Sequence, residues 1–158
     1  MPGQIATATG LSSGAYPGAV PRQQSRFSQV RAYAPAMRIE SLTPHQVFVF
    51  GSNAQGMHGA GAARTAHERF GAVWGRGSGL QGQSYGIDTM SGLPTIEREV
   101  ATFLAFAAEH PELEFLVTEI GCGIAGFTPA EVAPLFRGAP ANVRLPERFA
   151  AVIAGDPA

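Results

Sequence analysis

Two apolar runs, each released into a glycine-rich loop and then a helix-compatible stretch, set the strongest limit on what this chain can fold into. Gln46-Val-Phe-Val-Phe50 ends in Gly51, and its short, unbroken apolar character suits a strand buried on both faces. Leu113 to Ile120 (LEFLVTEI) is the second such strand, followed by Gly121-Cys-Gly-Ile-Ala-Gly126. Between them, Gly61 to Phe70 is alanine-rich and helix-compatible, with Gly71 placed as its C-terminal stop. Ser84 to Asp88 is a weaker strand. Thr95 to Ala108 puts Ile96, Val100, Phe103, Leu104 and Ala107 on one helical face, and His110-Pro111 ends it. Thr128-Pro-Ala-Glu131 supplies an N-cap, a proline at N1 and a glutamate at N3, so a helix starts there, and Pro134 makes it short or bent. Asn142 to Leu145 reads as a last strand. Strands and helices therefore alternate, which predicts an α/β domain with a mixed, mostly parallel sheet. In such sheets ligands sit outside the carboxyl ends of the strands, where both glycine loops are expected.

The chain is long enough for one domain, at 158 residues with 45% hydrophobic content. Residues 1–37 are rich in Gly, Ser, Pro, Ala and Gln without periodicity, and read as a flexible or loosely packed extension. Residues 38–158 form the predicted domain. Arg22, Arg26, Arg31 and Arg38 against Glu40 give the first forty residues a formal +3, and the remainder carries −4. Four spaced arginines suit a solvated arm, or one that lies on the acidic domain or an anionic partner.

Composition removes several chemistries. All 11 basic residues are arginine, so a Schiff base, a lysine base and a P-loop lysine are excluded. The single cysteine, Cys122, permits neither an intramolecular disulfide nor a cysteine-based zinc cluster. No grouping of His, Asp and Glu has metal-ligand spacing, and no cofactor is expected. A net charge of −1 argues against non-specific nucleic-acid binding by the whole chain. No apolar stretch approaches the ~20 residues that span a bilayer, and the N-terminus lacks the pattern of a secretory signal. A cytoplasmic protein without membrane contact is the expectation, and no feature specifies its oligomeric state.

The first loop runs Gly51-Ser-Asn-Ala-Gln-Gly-Met-His-Gly-Ala-Gly61 from strand to helix. Glycines let backbone approach a ligand closely, and the first amides of a helix offer unpaired donors to an anion. The loop is not Walker A, because no Lys-Ser/Thr follows. The pattern G-x-G-x-x-G fits only at Gly59-Ala-Gly61-Ala-Ala-Arg64, with arginine replacing the last glycine. Two backbone-lined loops on one edge suit a ligand with a pyrophosphate and a ribose.

FGSNAQGMHGAGAARTAHERFG resembles the first loop and helix of macrodomains, and TEIGCGIAGF resembles their second loop in its Gly-Cys-Gly variant, found in the terminal ADP-ribose glycohydrolase branch. The order GSN…HGAGAA, GLQGQSY and IGCG…G is also similar to a narrower group of bacterial and phage macro-like proteins. The resemblance spans roughly residues 46–136. It implies a three-layer α/β/α fold binding ADP-ribose or a related nucleotide, free or attached to an ADP-ribosylated macromolecule. Asn53 would approach the distal ribose, with Gly51 and Ser52 beside it. Gly59 and Gly61 would line the pyrophosphate. Gly121, Cys122, Gly123, Ile124, Ala125, Gly126 and Phe127 would close over the diphosphate and ribose, with Phe127 as a stacking wall. The chain departs from that branch in lacking its lysine nucleophile, and in having Ala125 where the branch places a catalytic aspartate. The aspartate that reads adenine in many macrodomains has no match before Val47.

Hydrolysis of an ADP-ribosyl linkage would draw on Asn53 to orient water and on His58 as general base. His58 lies between glycines and has a near-neutral intrinsic pKa; the alternative is an exposed loop histidine. Asn53 has the alternative of an Asx turn closing its strand. Asp88 either orients a water or shapes a turn. Glu119 is either a partnered structural carboxylate or an acid/base group, and Cys122 reads as a packed small residue. Gly75 to Tyr85 reads as a mobile surface loop, a lid over the site, with Arg76 free to reach a phosphate. A different class remains, a non-enzymatic phage or host regulator that uses the arginine-bearing arm.

Overall fold

The computed structural model describes residues 31–32 and 39–155. The described residues begin with β1 (Arg31–Ala32), β2 (Gln46–Ser52), α1 (Gly61–Arg69), β3 (Gly79–Gln81) and β4 (Ser84–Asp88). It continues through α2 (Leu93–Ala108), β5 (Glu114–Val117), α3 (Pro129–Val132), a 3-10 turn at Ala133–Phe136, β6 (Val143–Leu145) and α4 (Glu147–Gly155).

The strands form one sheet in the order β1-β6-β5-β2-β4-β3. Every neighbouring pair is parallel except β3–β4, so the sheet is mixed and mostly parallel, as the alternating pattern predicts. β2 sits between β4 and β5, and its side chains divide by the two-residue pleat. Val47 and Val49 join one core cluster with Ile96, Val100 and Phe103 of α2 and Phe149 of α4. Phe48 and Phe50 join a second with Ala63 and Ala66 of α1. Helices thus cover both faces, which is why β2 reads as continuously apolar. Among the described residues no helix is long and apolar enough to cross a membrane.

Local chemistry fixes the element ends. Thr128 Oγ1 accepts from the Glu131 amide while the Glu131 carboxylate accepts from the Thr128 amide, a reciprocal cap. The helix it starts lasts four residues before Pro134 enters the 3-10 turn. α1 stops before Gly71, whose φ is +82°.

Three segments differ from the sequence expectation. Gly75 to Tyr85 is not a free lid: it contains β3, which pairs antiparallel with β4, and Gln81 is 2% exposed. β5 is shorter than the expected run and stops at Val117, although the Thr118 amide and hydroxyl still donate to the Val49 carbonyl at 3.0 and 2.8 Å. Within the expected extension, Arg31–Ala32 pair with Arg144–Leu145 of β6, so the sheet starts before residue 38. The rest of residues 1–37 lies outside the described residues.

Phe103 is fully buried, with its ring centroid 5.0 Å from Tyr85 and 5.3 Å from Phe115. Phe103→Ala is expected to cost about 3–5 kcal/mol, read as a lower urea midpoint at unchanged slope.

Candidate functional site

A cleft of about 630 Å³ opens at the carboxyl edge of the sheet, inside the ~300–1,000 Å³ range of small-molecule sites. Its walls come from three places. Gly51 to Asn53, Met57 and Gly59 to Ala63 belong to the end of β2 and the loop and helix that follow it, Thr89 and Met90 follow β4, and Thr118 to Ala125 follow β5. The strand ends are close enough that a β-carbon on Gly51 would stand 3.0 Å from Thr89 Oγ1 and 3.5 Å from the Gly121 amide. Parallel pairing therefore puts the two glycine loops on one cavity.

Much of the polar character of the cleft is backbone. No side chain caps α1, and its first turn holds no acidic residue. The opening amides of a helix have no intrahelical partner and carry a partial positive charge. On the facing loop, the Gly121 carbonyl accepts from Phe127 at 2.8 Å and that of Gly123 from Gly126 at 3.0 Å. The amides of Gly123, Ile124 and Ala125 find no partner among the described residues. Gly123 also has open space where a β-carbon would stand, so nothing shields its backbone. Around these donors the rim is apolar: Ile124 is 82% exposed, and Met57 and Met90 are about half exposed.

Of the sequence-predicted residues, Gly51, Ser52, Asn53, Gly59, Gly61 and Gly121 to Ala125 line the cleft, whereas His58, Gly126 and Phe127 do not. Asn53 closes a local turn. Its Oδ1 accepts from the Met57 amide at 2.9 Å, and its Nδ2 donates to the Met57 carbonyl at 3.0 Å. One lone pair and one N–H of that amide remain for a ligand.

His58 lies behind the loop, 1% exposed. Its Nε2 donates to the Val73 carbonyl at 2.9 Å, which leaves Nδ1 to accept from Ser52 Oγ at 3.5 Å. Phe50 and Trp74 pack edge-on to the ring. With both nitrogens engaged and the ring enclosed, His58 holds structure here and does not line the cleft. Phe127 packs beside Gly121 and the main core.

Two ionisable side chains line the cleft among the described residues, Glu119 and Cys122. Glu119 Oε1 accepts from Arg148 of α4 at 3.0 Å, so the carboxylate is partnered. Burial pushes the Cys122 thiol up, and the Glu119 carboxylate adds to this against the opposing Arg148 charge. Asp88 shapes the turn after β4, accepting from the Met90 amide and the Ser91 hydroxyl. Arg76 donates to the Leu80 carbonyl at 3.3 Å within its own hairpin. No group of three or more His, Cys, Asp or Glu among the described residues could hold a metal ion. Sequence reasoning missed Thr89, Met90 and Met57; the first two were signalled by the weak strand that ends at Asp88.

Two outcomes follow. His58→Ala leaves a void and an unpaired Val73 carbonyl, so it is expected to lower stability by about 2–4 kcal/mol, read by thermal melting. Cys122 is expected to alkylate with iodoacetamide more slowly at neutral pH than an exposed cysteine, with the rate rising only above the usual thiol range.

Compared with protein-family models, curated proteins and solved structures, the chain finds no match.

Proposed function

We propose that the cleft binds ADP-ribose or a related nucleoside diphosphate through backbone amides. One observation carries this reading: the unpaired amides that open α1 and those of Gly123 to Ala125 meet across a single cavity. Two sets of fixed N–H donors suit an anion with several acceptor oxygens. The exposed Met57, Met90 and Ile124 suit the less polar parts of the same ligand. The macrodomain-like loop sequences favour the same ligand class.

Binding stands ahead of hydrolysis. His58 has no free nitrogen, burial pushes the Cys122 thiol above its ordinary range, and Ala125 offers no carboxylate. The regulatory alternative rests on the arginine-bearing N-terminal segment, of which only Arg31–Ala32 lie among the described residues.

Calorimetric titration with ADP-ribose, AMP and ribose 5-phosphate tests the reading, and ADP-ribose is expected to bind tightest. Gly123→Glu places a carboxylate among the donors where a β-carbon has open space. It is expected to weaken ADP-ribose at least tenfold, which corresponds to about 1.4 kcal/mol, at unchanged melting temperature. No heat from any of the three ligands at millimolar concentration would end the proposal.

A further inference from the structure

Trp74 is the chain's single tryptophan, and 53% of it is exposed. A tryptophan left so open on a small domain is unusual, since its large apolar surface favours burial. The backbone around it is held more firmly than a surface loop requires. His67 Nδ1 donates to the Ala72 carbonyl and His58 Nε2 to the Val73 carbonyl, both at 2.9 Å. The Val73 amide donates to Gln81 Oε1 at 2.6 Å, and the Gly75 amide to the Gly56 carbonyl at 2.8 Å. Two of these partners, His58 and Gln81, are almost wholly buried. Buried polar side chains are therefore committed to fixing the chain on both sides of an exposed indole.

The indole is also beside the cleft. Its Cη2 lies 4.0 Å from where a β-carbon on Gly59 would stand, and Gly59 lines the cavity two residues before α1. The rings of His58 and His67 meet it at 74° and 67°, which fixes its orientation. Met57, half exposed, lies next to Gly56 and so flanks the same Gly56–Gly75 hydrogen bond. A rigid aromatic surface thus stands beside Gly59, just outside the residues that line the cleft and next to where the amides of α1 begin.

We propose that Trp74 is a stacking platform for the base of a nucleoside diphosphate whose phosphates lie at the start of α1. The inference rests on the amide-lined cleft reading above and adds to it the group that selects a base-bearing ligand. Indole stacking reads a π-face and no particular edge, so purines and pyrimidines both bind, purines more tightly through their larger area. Pre-organisation by the buried hydrogen bonds spares the ordering cost that a loose surface tryptophan would incur.

Titration with ADP, UDP and inorganic pyrophosphate tests this, followed by calorimetry and by the lone tryptophan's emission. ADP and UDP are expected to quench the emission, and pyrophosphate is expected to bind without quenching. Trp74→Ala is expected to weaken ADP about tenfold or more, the scale of base–aromatic stacking, while pyrophosphate affinity stays the same. Trp74→Phe restores most of the ADP affinity. Equal ADP affinity in Trp74→Ala, with wild-type emission unmoved, overturns the platform and leaves the cleft reading intact. Equal loss of ADP and pyrophosphate also overturns it, by showing that Trp74 only supports the loop. If neither ADP nor pyrophosphate binds the wild type, the cleft reading fails and the platform fails with it.

Discussion

β2 lies between β4 and β5 and runs parallel to both, so three chain segments leave the sheet at one edge. The Thr89 amide donates to the Ser52 carbonyl at 3.1 Å and the Thr118 amide to the Val49 carbonyl at 3.0 Å, which carries the pairing past the strand ends. The same register decides the core. A one-residue slip would exchange Val47 and Val49 with Phe48 and Phe50, driving phenylalanines against α2 and valines against α1. Register and cleft are therefore one constraint: the packing that fixes the first also places the loops of the second.

Glycine serves this edge in two opposite ways. At Gly56 a β-carbon would meet the Arg76 amide at 2.3 Å, and at Gly77 it would meet the Asn53 carbonyl at 2.0 Å. These two let the loop after β2 lie directly on the hairpin segment after α1, backbone against backbone. Gly123 is different, since a β-carbon there would meet nothing within 4 Å. There the missing side chain leaves amides open to whatever enters the cleft.

Much of the fold was legible because local signals agreed with the tertiary result. β2, α2 and the Thr128 cap carry strong periodicity or capping chemistry, and each forms close to where it reads. β3 was hidden because three residues that open on Gly79 and run into Gly82 look like a turn, and Gln81 is buried for its hydrogen bonds to Val73 and Arg76 rather than for apolarity. α4 carried signals that a local reading could have used, with Pro146 before it and Glu147 in its first turn. The three-way meeting of Gly51, Thr89 and Gly121 needs the strand order, which no local pattern encodes. His58 was misleading for a related reason. Two neighbouring glycines suggest exposure, whereas its burial is set by Val73, fifteen residues further on.

Only 15% of the residues are charged, and the cleft carries that scarcity to an extreme. Its single carboxylate among the described residues, Glu119, is engaged by Arg148, whose own side chain is two-thirds exposed. Such a pair is worth little to stability in water, but it partly offsets a negative charge in a cavity that otherwise offers N–H donors. The residual charge still sets a direction. On the proposed reading, a diphosphate gains most at the α1 amides, whose first turn holds no acidic residue, and least beside Glu119. That asymmetry draws the phosphates toward Gly61, and therefore toward Gly59, beside which Trp74 stands.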